Sequence, residues 1–161
     1  MTNAIAPKVD FYVLDKDSVN ERLKFVARLL EKLQKLGKSA RILVENDESA
    51  QTLDDFLWQF PAESFLPHRR FEPSQASSSE EEQSSSNSPV LIQVANQAVG
   101  KSETYDVLID LSTEAASTQF QHPRIVEVVI QEPGILASTR ARYKFYREQG
   151  YPLQSHPIQI R

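Results

Sequence analysis

Between Arg140 and Gly150 the chain reads RARYKFYREQG, a run dense in basic and aromatic residues. At the helical period of about 100° per residue, Arg140, Tyr143, Lys144 and Arg147 fall on one face, with Leu136 one turn earlier. Such a face suits a partner that brings both a negative charge and an apolar group. Guanidinium groups hold carboxylates through charge-assisted hydrogen bonds, while rings and methylene stems cover hydrocarbon. A peptide that ends in a carboxylate fits this description, and so does single-stranded nucleic acid. The plain alternative is a solvated helix face with snorkelling side chains.

The charge around this run is local. The chain has 161 residues and a formal net charge of −4. Residues 1–120 hold 12 Lys/Arg against 19 Asp/Glu, whereas residues 121–161 hold 6 against 3. A general nucleic-acid binder spreads positive charge widely, because its affinity comes from many phosphate contacts. The asymmetry favours a small anionic partner.

A second group of residues suggests a second contact. Trp58, Phe60, Phe65, Leu66 and Phe71 crowd a short stretch that also holds Pro61 and Pro67. Phe56 and Leu57, just before it, read as core residues of a helix. The segment from Phe60 to His68 reads as an irregular apolar loop with two exposed phenylalanines. On such a loop Trp58 and Phe65 read equally well as packing or as a protein-binding surface.

Catalytic patterns are weaker. Ala95–Ser102 has the form AxxxxGKS, close to a phosphate-binding loop but with alanine at the first glycine. The apolar run YDVLIDLS from Tyr105 leaves no room for the helix that would point its amides at a phosphate. His68, His122 and His156 are far apart, and there are no cysteines, so neither a metal site nor a disulfide framework is expected. The pairs Asp15 and Asp17, and Asp54 and Asp55, suit capping and solvated faces better than acid–base work. No catalytic site and no cofactor are expected. The absence of a signal-like N-terminus or a long apolar run predicts a soluble, cytoplasmic protein.

The elements that must carry these residues follow from periodicity. VDFYVLD, Val9 to Asp15, reads as a buried strand. Asp17 or Ser18 caps a helix, with Glu21 as the reciprocal residue of a capping box if Ser18 is the cap. Leu23, Val26, Ala27, Leu30 and Leu33 recur at helical spacing up to Leu36, and Gly37 stops the run. Ala40 to Glu45 is a second strand, and Asn46 to Ser49 cap a helix over roughly Ala50 to Gln59. Pro89 to Ala95, Tyr105 to Ser112 and Arg124 to Ile130 are further strands, and Glu132, Pro133 and Gly134 lead into the basic helix. The tail PLQSHPIQIR should lie extended. The result is one α/β domain spanning 1–161, with a mostly parallel sheet of about five strands flanked by helices.

With these residues in place, the chain resembles the chi subunit of the bacterial DNA polymerase III holoenzyme. The resemblance runs through DFYVLDKD, LVENDESAQTLDDFLWQFPAESFLPH, VLIDLS and RARYKFYREQGY, most of the chain. It implies a Rossmann-like fold without a nucleotide site. It also implies a non-catalytic adaptor that joins the clamp-loader complex, through the psi subunit, to the acidic C-terminal tail of single-stranded-DNA-binding protein. The tail-binding motif matches at Arg140, Tyr143, Lys144 and Arg147, and the psi-facing motif at Trp58, Pro61 and Phe65. Some members of the family are similar in pairing with a helicase through that second surface. Direct binding of single-stranded DNA by the basic helix is the alternative function.

Glu72 to Pro89 departs from the family pattern, being almost wholly Ser, Glu, Gln and Pro. Such a composition buries too little apolar surface to offset its ordering entropy, so it reads as a disordered insertion. Deleting Ser74 to Ser88 is expected to leave the thermal unfolding midpoint nearly unchanged. A fall of many degrees in a calorimetric scan would show the segment to be structured.

Overall fold

The computed structural model describes residues 7–60, 67–70, 90–94, 105–113 and 122–159. Along them run β1 (Lys8–Leu14), α1 (Val19–Lys35), β2 (Ala40–Val44), α2 (Asp47–Gln59), β3 (Arg69–Arg70), β4 (Val90–Val94), β5 (Val107–Asp110), β6 (Arg124–Val129), α3 (Pro133–Glu148) and β7 (Leu153–Ile158). The strands form one sheet in the order β3-β4-β2-β5-β6-β1-β7. Each pairing in it is parallel. Every residue of β2, β4 and β5 is buried, which is why these segments read as apolar runs rather than alternating ones.

Strand alternation divides the core. Leu14, Ile42, Ile109 and Val126 point to the side covered by α1 and α2, whose Val26, Leu30, Leu53 and Leu57 fill it. Val9, Phe11, Leu43 and Leu108 point to the other side, where Tyr146 of α3 packs on them.

The helix ends follow local chemistry. Ser18 is the N-cap of α1, its Oγ accepting from the Glu21 amide at 3.3 Å. At the other end Gly37 takes φ 70°, while the Lys38 amide donates to Leu33 O and the Gly37 amide to Gln34 O. This is a Schellman closure, and a residue with a Cβ would be strained there. Gly150, at φ 79°, closes α3 the same way, with Tyr151 N donating to Tyr146 O. α2 begins one turn earlier than its apolar spacing suggests, because Asn46 is the cap and accepts from Ser49 N at 2.8 Å. α3 opens with Glu132, whose carboxylate accepts from Gly134 N and Ile135 N, followed by Pro133 in the first turn.

The sheet has seven strands where about five were expected, and two small elements account for the difference. β3 is two residues long and pairs with Leu91 and Ile92, too short to leave a periodic signal. β7 is the tail expected to be merely extended; it pairs along β1 from Val9↔Leu153 to Leu14↔Ile158. Its prolines argue against a central strand, yet β7 lies at the edge. Pro152 O and Ile158 O accept from Val9 N and Asp15 N, so even-numbered residues bond to β1. Pro157 therefore places its missing donor on the open side, where no ladder bond is lost.

β1 is tied to both neighbours by a buried acid. Asp10 is 2% exposed; its carboxylate accepts from Arg124 Nε at 2.9 Å and lies 2.9 Å from His156 Nε2 and 3.8 Å from Lys8 Nζ. Burial pushes this carboxyl up. Hydrogen bonds with His156 and Arg124, and the charges of Arg124 and Lys8, pull it further down, leaving it below the usual 3.8.

A larger buried cluster fixes α3 against the sheet. Arg142, 1% exposed, grips the Glu127 carboxylate with Nε at 2.8 Å from Oε2 and Nη2 at 2.7 Å from Oε1. Its Nη1 donates to Ser112 O at 2.9 Å, and Asp110 Oδ2 lies 3.6 Å from Nε. Tyr146, one turn on, donates to Glu127 Oε2 at 3.0 Å. From α1, Arg22 donates to Val128 O at 2.8 Å and Leu111 O at 3.3 Å. Burial pushes the Glu127 carboxyl well above the usual range, against the pull of Arg142. Burial also weighs against the charge on Arg142, but the Glu127 and Asp110 carboxylates outweigh it and its pKa rises. Arg22 falls to about 10, chiefly through burial.

Two outcomes are expected from these clusters. Because Asp10 binds its proton more weakly folded than unfolded, its contribution is full above the unfolded value and is lost as pH falls through the lower native value. Denaturant titrations of Asp10→Asn should thus show lower stability at neutral pH and a shallower loss below about pH 4. Arg142→Ala leaves Glu127 buried and unpaired and should cost about 3–5 kcal/mol in urea unfolding. Replacing both partners, Arg142→Met with Glu127→Leu, should recover most of that loss.

Candidate functional site: the outer face of the basic helix

With Arg142 and Tyr146 committed to the core, the rotation of α3 about its axis is set. The run that looks uniformly basic in sequence divides into two faces. Arg142 stands two positions, about 200°, from Arg140, so it points inward when Arg140 points outward. Arg140, Tyr143, Lys144 and Arg147 all lie on the exposed side, as periodicity predicts. Tyr143 keeps 38% of its surface exposed, and its ring centroid lies 5.3 Å from that of Phe11, which pins one edge of the ring to the core. Leu136 is half-buried against the same apolar cluster. Among the described residues no carboxylate lies within ion-pair distance of Arg140, Lys144 or Arg147. The site is three solvated cations around a half-exposed aromatic ring, on a helix whose rotation is fixed from beneath.

Of the second group, Trp58 and Phe60 lie at the end of α2, on the opposite side of the sheet from α3. Trp58, in the last turn of α2, is 59% exposed, with its ring centroid 5.0 Å from that of His68. His68 Nε2 lies 3.0 Å from Asp54 Oδ1. Phe60 is not the exposed residue its loop position suggests; it is half-buried and stacks on Phe56 at 6.0 Å. Leu57 is buried, as its helical position predicts. Pro61, Phe65, Leu66 and Phe71 lie outside the described residues, as do the AxxxxGKS segment and Glu72 to Pro89.

Two of the three histidines lie against aspartates. His156 sits beside Asp10 and His68 beside Asp54, so the histidines stay apart. Among the described residues no group of three or more His, Cys, Asp and Glu side chains could hold a metal ion. No helix among them is long and apolar enough to cross a membrane. Sequence reasoning passed over the cluster of Arg22, Asp110, Glu127 and Arg142. Its signal was present as single charges inside apolar runs, Glu127 within RIVEVVI above all.

The fold is shared with solved helicase domains. The C-terminal domain of the DEAD-box protein Dbp5 has a TM-score of 0.61 at 13% identity, over 96% of this chain and 92% of that one. The E. coli DEAD-box protein SrmB, solved bound to regulator of ribonuclease activity A, has 0.61 at 10% identity, over 94% and 91%. At these identities the likeness concerns architecture alone. Sequence relatives are more specific. DNA polymerase III subunit chi of Pseudomonas aeruginosa is 34% identical over 151 residues, covering 94% of this chain and 96% of the relative. That of Escherichia coli is 31% identical over 149 residues, covering 90% and 94%. The family model of the DNA polymerase III chi subunit, HolC, matches residues 6–154. A match over nearly the whole chain, with these relatives, places the protein in the DNA polymerase III chi subunit family, accessory subunits of the replicative polymerase holoenzyme.

Proposed function

We propose that this chi subunit is a non-catalytic adaptor. The outer face of α3 holds the acidic C-terminal tail of single-stranded-DNA-binding protein, and the aromatic end of α2 docks the psi subunit of the clamp-loader complex. The observation that carries the reading is the division of α3. One arginine is spent on the core, whereas Arg140, Lys144 and Arg147 stay solvated around the half-exposed ring of Tyr143.

The chemistry follows from that geometry. A solvated guanidinium or ammonium gives up part of its hydration to bind a carboxylate, and the gain depends on how much water the partner's apolar side chain excludes. Tyr143 and Leu136 supply the apolar ground beside the cations. A tail of several carboxylates ending in an aromatic residue uses both. α3 lends itself to this because its seating does not depend on the ligand: the Arg142–Glu127 pair holds it before anything binds, so little ordering cost falls on binding. Trp58 provides the other anchor, with the sheet between it and α3; Pro61 and Phe65 join it on the family motif alone.

Calorimetric titration with an acidic peptide ending in Phe tests the α3 face. Arg140→Ala and Lys144→Ala should each weaken binding by about 1.5–3 kcal/mol where the hydrogen bond is partly desolvated. Unchanged affinity in both folded variants would remove this face from the reading. Separate faces also require a two-by-two pattern. Trp58→Ala and Phe65→Ala should lose psi in pull-downs, each by about 2 kcal/mol or more, and keep the peptide, while Arg140→Ala does the reverse. A folded variant that loses both partners would replace the bridge with one overlapping site.

A further inference from the structure

A concave surface lies across the sheet from α3, where α1 runs beside the β1–β7 edge. The groove there has a volume of about 640 Å³, and Tyr12, Phe25, Leu29 and Ile158 give it an aromatic and aliphatic floor. Its α1 bank carries Lys24, Arg28 and Lys32. At four-residue spacing these stand in one row along the helix, about 6 Å apart. Among the described lining residues Glu21 is the one carboxylate, and it lies 3.6 Å from Lys24. Arg28 and Lys32 are exposed.

Three features narrow what such a groove takes. The row of cations on one bank calls for a partner with several negative charges along one side. The floor calls for side chains with edges and alkyl surface rather than flat bases. Tyr12 is stacked on His156 at 4.8 Å and tilted against Phe25 at 5.1 Å, and its hydroxyl accepts from Arg124 at 2.7 Å, so the rings are already occupied with one another. The open edge of β7 does not favour an added strand, because Pro157 offers no donor on that side. A partner must enter by its side chains. Nucleic acid is further disfavoured by the surroundings: the cations cover barely two helical turns of a chain with net charge −4.

We propose that this groove docks an acidic amphipathic segment of another protein. Its carboxylates pair with Lys24, Arg28 and Lys32 while its leucine-like or aromatic side chains rest on Tyr12, Phe25, Leu29 and Ile158. This surface is distinct from both faces assigned to adaptor function and stands without them.

The probe is a fluorescein-labelled eight-residue peptide alternating Glu or Asp with Leu and Phe, amidated at its C-terminus so that it lacks the terminal carboxylate. In fluorescence anisotropy at low salt it should bind the full chain. The exposed-surface pair Arg28→Glu/Lys32→Glu should weaken it about tenfold or more. A peptide with Ser in place of Leu and Phe should lose binding even to the unaltered protein. Circular dichroism checks folding, and Arg28→Ala/Lys32→Ala repeats the test without charge reversal. The proposal is overturned if the acidic peptide does not bind, if both double variants bind it as the unaltered chain does, or if an oligothymidylate binds in its place and is released by the double variants.

Discussion

Arg142 and Glu127 meet in the interior with almost no access to water, and the arrangement of the rest of the protein follows from that pairing. Taking two charges out of water is costly, and the cost is offset when each finds the other at hydrogen-bond distance and the spare donors and acceptors are also used. Here they are: Ser112 O takes one Arg142 donor, and the Tyr146 hydroxyl gives to Glu127. Arg22 and Asp110 complete a group of two cations and two anions. The group draws on α1, β5, β6 and α3 together, so any shift of one helix along the sheet would strand a charge. Apolar packing tolerates small slips; this cluster does not.

That constraint explains how a helix rich in basic residues presents a defined surface. A freely rolling α3 could expose any of its four cations. With Arg142 drawn inward, the outward set is Arg140, Lys144 and Arg147, and Phe11 holds Tyr143 between the core and solvent. Stability and presentation are thus linked through a single residue that itself touches no partner in the proposed adaptor reading.

The sheet makes a similar economy at its edge. β7 adds a seventh strand on the outer side of β1 and gives His156 to the cluster around Asp10. In doing so it turns a mid-sheet strand out of β1 and moves the open edge to a segment that Pro157 makes a poor template for further pairing. The same step creates the bank opposite α1 that forms the cationic groove. A short tail therefore buries a carboxylate, guards an edge and shapes a surface at once.

Much of this was legible from local signals. The strand at Val9, the helix running from Ser18 to Gly37, the Glu132-Pro133 opening of α3 and the outward face of Arg140, Tyr143, Lys144 and Arg147 all depend on neighbours one to four positions away. Periodicity and capping report such neighbours directly. What the tertiary structure decided depends on residues far apart in sequence. Arg22 meets Val128 and Arg142 meets Glu127; β7 returns to β1, and β3 gains strand character only because β4 lies beside it. A lone arginine in a basic helix and a lone glutamate in an apolar strand look respectively ordinary and out of place. Nothing local says that each is the reason for the other, because the energy that binds them arises only when the sheet and α3 have already come together and excluded water.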